Sequence, residues 1–472
     1  MWFRSDLRVG DNTALLAARD RGRDGVVALF VVSPGEWRLH DVAPARIDLI
    51  LRTLFELSAA LAALNIPLLI ETAPEPKDVA AAVLNVAERH KCDAVYFNRE
   101  YELNESRRDA AATALFEKHG RPVHSFTDQV CFEPGTIRTG EGRYYTVFTP
   151  FKRAWIKHWH EREGMIPRAR PKAQPRLNIA PGKVPLSVPG FESEIAPGIW
   201  PAGETHALAR LAKFTVTNIF DYKSARNLPA LDGTSALSPY LAIGSISPRQ
   251  CVAAALAANK AAKSSLDTGN EGVTTWISEL IWREFYVHIM AGFPRVCTHR
   301  AFLPATERIK WNENEAHLQA WKEGRTGVPI VDAGMRQLRA MGWMHNRVRM
   351  IVAMYFSKNL FLDWRMGEKF FMQNLVDGFL ASNNGGWQWS ASTGTDAAPY
   401  FRVFNPVSQS EKCDPTGEYI RKYVPELAAA GDDLHAPWET APLARGRLNY
   451  PDPLVNLSQS RLAAIEAFRG RG

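Results

Sequence analysis

Short apolar runs alternate with amphipathic stretches over residues 1–128 of the chain. Each apolar run is bounded by polar or turn residues, as in a strand, and the stretches between them repeat their apolar positions with helical spacing. Strand alternating with helix predicts a parallel sheet covered by helices on both faces. The predicted strands are residues 2–4, 26–32, 67–71 and 94–98, and the predicted helices between them are residues 44–64 and 77–90.

The pattern changes after residue 128. Eight prolines interrupt residues 167–201, so residues 129–203 read as a connector with one helix at 149–163. From residue 204 onward helical periodicity dominates. The sequence therefore predicts an α/β domain (1–128), a connector (129–203) and a larger all-α domain (204–472). The predicted helices of that last domain are residues 248–262, 274–290, 313–323, 331–340 and 344–360.

Composition narrows the class of protein only slightly. The 472 residues include 57 basic and 50 acidic side chains, a net charge of +7 that favours a polyanionic partner weakly. The five cysteines are scattered without a CxxC pair, which argues against a disulfide framework and a metal site. The N-terminus MWFRSDLR lacks the apolar segment of a signal peptide, and no apolar run is long enough to span a membrane. We therefore expect a cytoplasmic protein.

The most informative run is residues 383–406, NNGGWQWSASTGTDAAPYFRVFNP. Paired glycines and tryptophans followed by a Ser/Thr/Asp cluster predict neither an ordinary helix nor a strand. Aromatic rings beside small, hydrogen-bonding residues suit a pocket for another flat molecule.

Three further segments carry candidate chemistry. In residues 274–288 helical spacing places Glu279, Trp282, Arg283 and Tyr286 on one face, which suits a polar cleft, although Glu279 and Arg283 could form a surface ion pair instead. Residues 342–350, GWMHNRVRM, could bind phosphates and a base edge, or form a basic surface turn. Residues 232–239, DGTSALSP, place hydroxyls near a predicted helix start, where they could bind phosphate or merely cap the helix.

In their order along the chain these motifs resemble the photolyase/cryptochrome family over essentially the whole length, and the class I, cyclobutane pyrimidine dimer branch most. The resemblance implies an α/β domain followed by a helical FAD-binding domain. It also implies a carbon–carbon lyase that repairs pyrimidine dimers in DNA with light. Excited reduced FAD would donate an electron to a dimer flipped out of the duplex.

The resemblance also assigns residues. Around FAD it places Tyr222, Thr234, Ser235, Ala236, Leu237, Ser238, Arg349, Asp377, Gly378, Phe379 and Asn383, with Arg349 paired to Asp377 and Asn383 facing flavin N5. At the dimer or the DNA it places Arg226, Glu279, Trp282, Asn346, Arg347, Met350, Trp389, Arg402 and Gln409, and we add Arg283 and Tyr286 from the shared face. Glu279 and Asn383 are the expected catalytic side chains, and the electron relay is Trp387, Trp364 and Trp311.

An antenna pigment is implied as well. His40, Asn104 and Glu105 match positions that bind methenyltetrahydrofolate in relatives, although Thr298 replaces a lysine that some of those relatives carry. Two other departures are Gly10, in place of a common histidine, and Phe379, in place of an acid beside the flavin. We expect a monomer without a metal ion.

Rival functions within the family are disfavoured by single residues. A (6-4) photolyase needs acid–base chemistry and would carry histidines at positions 346 and 350, where this chain has Asn346 and Met350. A signalling cryptochrome, the main alternative, would carry aspartate or cysteine at Asn383, and a DASH-type protein would carry another aromatic at Trp282.

Overall fold

A computed structural model describes residues 1–161, 165–259, 265–439 and 448–469. The ends of two predicted helices, 162–163 and 260–262, lie outside these ranges. Contacts divide the chain into two compact units. The first unit comprises Met1–Phe220, Ser235–Cys297 and Val376–Ala381, and the second comprises Asp221–Thr234, Thr298–Leu375 and Ser382–Gly472.

Within the described residues, the first unit holds five parallel-paired strands: β1 (Trp2–Phe3), β2 (Ala28–Val32), β3 (Leu68–Thr72), β4 (Val95–Asn98) and β5 (Val123–Phe126). Strands β1, β2 and β3 pair in that order, with Phe30 opposite both Phe3 and Ile70. Strands β4 and β5 form a second parallel pair, and β1 also lies beside β4. The predicted parallel strands are therefore present, and β5 is one that the apolar pattern missed.

The helices of the first unit alternate with these strands and then follow them. Apolar side chains of β1, β2, β3 and β4 pack against two helices, α4 (Val79–Arg89) and α5 (Leu103–Lys118), in one buried cluster that includes Trp2, Phe97 and Phe116. The helices are α1 (Thr13–Arg21), α2 (Pro34–Leu39), α3 (Pro44–Ala62), α4 (Val79–Arg89), α5 (Leu103–Lys118), α6 (Phe148–Glu161), α7 (Glu204–Val216), α9 (Ser238–Ile243), α10 (Pro248–Ala258) and α11 (Glu271–Gly292).

Local capping explains where several of these helices begin. Ser247 and Gln250 form a reciprocal capping box at α10, and the Asn270 side chain accepts the Val273 N–H at the start of α11. Each cap satisfies a backbone N–H that has no partner within its own helix.

The second unit is helical. Its core packs Trp321, Phe356, Trp364 and Trp387 at a few per cent exposure or less. Its helices are α8 (Tyr222–Ala225), α12 (Glu315–Glu323), α13 (Pro329–Met341), α14 (Asn346–Met354), α15 (Trp364–Asn374), α16 (Leu380–Ala391, whose first two residues belong to the first unit), α17 (Pro406–Cys413), α18 (Glu418–Tyr423) and α19 (Leu457–Arg469). Short 3₁₀ segments lie at Pro76–Asp78, Pro197–Ile199, Ile219–Asp221, Pro294–Thr298, Pro304–Arg308, Pro425–Leu427, Asp432–His435 and Pro437–Glu439.

Two predictions about the helices were wrong. The run that begins at Asn383 is helical as far as Ala391, because the amides of Asn383 and Asn384 anchor it to Glu368 and offset its poor intrinsic propensity. Residues 344–360 are not one α-helix. After α14 the chain widens into a π-helical turn, Tyr355–Asn359, in which Leu360 N–H donates to Tyr355 O at 3.0 Å.

Candidate functional site

One face of α11 is partly exposed while the rest of the helix is buried. Glu279, Trp282, Arg283 and Tyr286 all lie on that face. The Trp282 indole stacks on Phe148, with ring centroids 3.6 Å apart and planes 9° apart. An indole held flat in this way can serve as a wall for a planar ligand.

The guanidinium of Arg283 is engaged by the first unit itself. It donates to Gln129 O at 2.7 Å and lies 4.5 Å from the centre of the Phe379 ring. Burial lowers the pKa of Arg283. These contacts tie the guanidinium of Arg283 to Gln129 and to the ring of Phe379, and its predicted role at the DNA stays a prediction.

A second, partly buried arginine contacts the same segment. Arg46 donates to the carbonyl oxygens of Gly378 and Ala242. Burial lowers the pKa of Arg46, and the negative charge of Asp377 is among the groups that oppose this shift. Because Arg46 holds the backbone at Gly378 and Arg283 covers Phe379, this segment keeps its place without an acidic side chain at position 379.

The segment of hydroxyl residues precedes α9. Ser238 is the first residue of this helix, as the sequence predicted, and Ala236 adopts a positive φ of 46°. Arg210 Nη1 lies 3.5 Å from Ser235 O. Tyr222 and Thr234 belong to the second unit, where the Arg226 guanidinium lies 5.7 Å from the centre of the Tyr222 ring.

A basic cluster surrounds the start of α14 in the second unit. His345 caps the helix, since its Nδ1 accepts the Arg347 N–H at 3.2 Å. Burial, then the charges of Arg349, Arg347 and Arg226, lower the pKa of His345 to about 4. The imidazole is therefore neutral near pH 7, and it keeps the lone pair that capping requires.

Three residues predicted to contact the lesion or the DNA lie on α14. Arg347 Nε donates to Asn227 Oδ1 at 3.2 Å, and its Nη1 lies 3.8 Å from Met350 Sδ. Asn346 is exposed and Met350 is partly exposed. Arg349 Nε donates to Met344 O at 2.7 Å. The predicted Arg349–Asp377 pair involves both units and stays a prediction.

The amide of Asn383 has a fixed orientation. Its Nδ2 donates to Glu368 O at 3.0 Å, which leaves Oδ1 as the acceptor. Asn384 Nδ2 donates to the buried Glu368 carboxylate at 2.8 Å, and His299 Nδ1 lies 3.2 Å from the same group. An amide oxygen presented in this way fits the N–H that a reduced flavin carries at N5, so the donor and acceptor chemistry of this position fits FAD.

Trp387 rests directly on the helix that begins at Trp364. A Cβ atom on Gly367 would come within 2.1 Å of Trp387 Cη2, so only glycine leaves room for the indole. Gly367 is three residues after Trp364, and positions i and i+3 share a helix face. Both indoles are buried, at 2% exposure for Trp387 and 0% for Trp364.

Trp311 is tied to the chain just before Trp364. Asn312 N–H donates to Phe361 O at 2.8 Å, and the rings of Trp311 and Phe361 lie 5.1 Å apart. Unlike the other two indoles, Trp311 is partly exposed. The order Trp387, Trp364, Trp311 therefore leads from the core of the second unit to its surface.

The remaining predicted DNA residues of the second unit are exposed or partly exposed. Trp389 is partly exposed, with its ring 6.4 Å from that of Phe404. Arg402 is exposed, and Gln409 is partly exposed on α17.

The three predicted antenna residues come together in the first unit. His40 Nε2 lies 3.0 Å from Asn104 Nδ2, and His40 Nδ1 lies 3.2 Å from Glu105 Oε1. Burial, then the charge of Glu100, raises the pKa of Glu105 to about 7. Ligand atoms of Glu36, His40 and Glu105 lie within 4.8 Å of one another, a spacing that could also hold a cation. Arg108 already pairs with Glu36 at 3.0 Å, which offsets the negative charge that a metal ion would need.

Sequence reasoning missed three supporting residues. Gly367 carried a signal, because a glycine inside an otherwise helical run marks close packing. Phe148 and Glu368 carried none, since the partners they meet lie far away in the sequence.

Comparison with known proteins identifies the family. A family model described as DNA photolyase matches residues 1–173, and one described as the FAD binding domain of DNA photolyase matches residues 276–470. The deoxyribodipyrimidine photo-lyase of Escherichia coli is 45% identical over 477 residues, covering 99% of this chain and 98% of that protein. The enzyme of the same name from Salmonella typhimurium is 44% identical over 473 residues, with the same coverage. The chain belongs to the DNA photolyase family.

A solved structure agrees with this result. The class III photolyase from Agrobacterium tumefaciens has a TM-score of 0.86 at 33% identity, covering 99% of this chain and 96% of that one. The predicted fold class and the FAD cofactor are thereby confirmed. Individual residue roles, and domain boundaries at residues 128 and 203, stay predictions. No helix within the described ranges has both the length and the apolar character needed to cross a bilayer.

Proposed function

We propose that this protein repairs cyclobutane pyrimidine dimers in DNA with light, as a deoxyribodipyrimidine photo-lyase. The observation that carries the proposal is the full-length match to bacterial enzymes of that name. Asn346 and Met350 support it, because neither side chain can donate or accept a proton at neutral pH as a (6-4) repair mechanism requires.

The chemistry that FAD supplies when bound is a light-driven transfer of one electron to the dimer, with return of the electron after the ring opens. The protein's own residues bind and orient the reactants. Trp282, whose indole stacks flat on Phe148, would contact the dimer through its ring, and so would Trp389. Glu279 and Asn346 would hydrogen-bond the pyrimidines above Met350. The buried position of Glu368 would keep the Asn383 amide turned towards the flavin.

DNA binding would rest on cationic side chains. Arg226, Arg347 and Arg402 would neutralise phosphates, and Gln409 would contact the backbone. Flipping a damaged base pair is cheaper than flipping an intact one, because the lesion already weakens pairing. The +7 net charge is consistent with this partner.

Trp387, Trp364 and Trp311 would carry an electron inward when the flavin is oxidised. This relay prepares the enzyme and is separate from the dimer site. Replacing Trp311 by Phe should abolish photoreduction of oxidised flavin, whereas chemically reduced protein should still repair DNA. Equal loss of both activities would contradict the relay assignment.

The cluster of His40, Asn104 and Glu105 would bind a folate antenna. Its support is the contact geometry given above and the raised pKa of Glu105, which lets this carboxyl donate or accept a hydrogen bond near pH 7. Replacing Glu105 by Gln should alter folate retention but not flavin retention. The absorption spectrum of the purified protein separates the two pigments.

The decisive experiment is a repair assay. Protein with reduced FAD is mixed with an oligonucleotide that contains a thymine dimer, under blue light and in darkness. Repair should require light. Binding of reduced flavin without light-dependent repair would refute the proposal and favour a signalling cryptochrome. We also propose that the protein acts as a monomer in the cytoplasm, which sedimentation and cell fractionation would test.

A further inference from the structure

A buried lysine lies beside the predicted relay. Lys358 is 0% exposed in the π-helical turn Tyr355–Asn359. Among the residues that the structure describes, no atom accepts a hydrogen bond from its Nζ. Burying an unpaired ammonium group is costly, and π-helical turns occur often at functional sites.

The ammonium points towards the outer end of the relay. Nζ lies 3.5 Å from the centre of the Phe468 ring, and that ring centre lies 6.3 Å from the centre of the Trp311 ring. The charge is therefore within about 10 Å of the indole, a range over which charges interact appreciably inside a protein. Nζ makes no hydrogen bond to Trp311 among the described residues, so the charge of the lysine, rather than a shared proton, links the two groups.

Charged groups on the elements around this turn do not offset the lysine. The turn packs against α14, α15 and α19. On α14, Arg347 donates to Asn227 and Arg349 donates to Met344 O. On α15, Arg365 pairs with Asp363 and Glu307, Glu368 lies beside His299, and Lys369 is exposed. The charged residues of α19 are all exposed: Arg461, Glu466 and Arg469. Burial alone accordingly lowers the pKa of Lys358 to about 7.

We propose that Lys358 is a positioning residue for electron transfer, which acts through Trp311 by controlling the positive charge near its indole. In the relay, Trp311 gives one electron to oxidised Trp364 and becomes a radical cation itself, and an external thiol later returns that electron. A protonated Lys358 raises the energy of this radical cation, and a neutral one does not. This inference rests on the relay proposed above.

The sign of the effect follows from the charge. Below about pH 7 the ammonium form disfavours oxidation of Trp311, and above it the neutral amine permits it. Photoreduction of the flavin should therefore rise by about three- to tenfold as the pH increases from 6 to 8.5.

The test compares FAD-loaded variants under continuous blue light with one thiol reductant. Lys358→Met should remove the rise with pH and photoreduce at pH 6 as fast as the natural protein does at pH 8.5. Lys358→Arg keeps the charge and should remain slow at every pH. Lys369→Met, at an exposed lysine on the neighbouring helix, should keep the natural profile. The thiolate concentration is held constant across the pH series, so titration of the thiol does not contribute to the profile.

A second measurement is independent of light. In NMR spectra of ¹³C-lysine protein, the signal lost in Lys358→Met should titrate near pH 7. Titration near the ordinary value of 10.5, or a pH rise that survives in Lys358→Met, would refute the proposal even if the arginine variant fails to fold. The variant Trp311→Phe distinguishes a failure of the proposed relay from a failure of the proposed role of Lys358. Photoreduction at the natural rate in that variant would refute the relay. Loss of photoreduction in Trp311→Phe, together with a Lys358→Met pH profile equal to that of the natural protein, would refute only the role of Lys358.

Discussion

The contact between Gly367 and Trp387 permits a sharp test of the relay. In Gly367→Ala the added Cβ would lie 2.1 Å from Trp387 Cη2, against an ordinary contact of 3.4 Å, so the indole must withdraw by about 1.3 Å. Overpacking of this kind costs about 1–3 kcal/mol, and the better helix propensity of alanine returns about 1 kcal/mol. We therefore expect a net loss of about 0–2 kcal/mol in the free energy of unfolding.

Function should suffer more than stability. Displacement of Trp387 weakens its coupling to Trp364, so photoreduction of oxidised flavin should slow markedly. Chemical denaturation, near-ultraviolet circular dichroism and the photoreduction rate are the three readouts. Gly386→Ala is the matched control, because it adds the same methyl group beside Trp387 in α16 where nothing lies within 4 Å. Natural photoreduction in Gly367→Ala, or equal slowing in the control, would refute the packing argument.

Three further outcomes are expected. Phe379→Leu removes the ring beneath Arg283 and should lower the free energy of unfolding by about 1 kcal/mol in urea titrations; no loss would mean that the ring contact contributes nothing. His345→Asn keeps a cap that does not titrate, and His345 has a folded pKa of about 4, below its ordinary 6.5, so stability is lost as pH falls between these values. Between pH 7 and pH 4 the free energy of unfolding of the natural protein should thus fall by about 3 kcal/mol more than that of this variant. Chemical denaturation at each pH measures it. Arg347→Gln should reduce the salt slope of DNA binding by about one, whereas Arg89→Gln, at an exposed arginine paired with Glu71, should leave it unchanged.

Periodicity predicted most of the regular structure because burial and period coincide there. The predicted helices 44–64 and 77–90 show this well, since most of their apolar positions are buried in α3 and α4. Strand β5 was not predicted, because all four of its residues are only partly buried and it therefore lacks an apolar run.

The candidate site was predictable as a set of residues but not as a set of contacts. Spacing alone placed Glu279, Trp282 and Tyr286 on one face. The stack of Trp282 on Phe148 depends on how α6 meets α11, and no local signal encodes that meeting. The contact of Phe379 with Arg283 is of the same kind, because the two residues lie far apart in the sequence.

The π-helical turn between α14 and α15 has a consequence for how this gene can change. It adds one residue to a turn of helix, so deleting any one residue from Tyr355–Asn359 would restore regular α-helix. Such a deletion would also rotate everything downstream by about 100° relative to α14. Insertions and deletions should therefore be absent from this turn in functional homologues, yet frequent in the proline-rich stretch of residues 165–203.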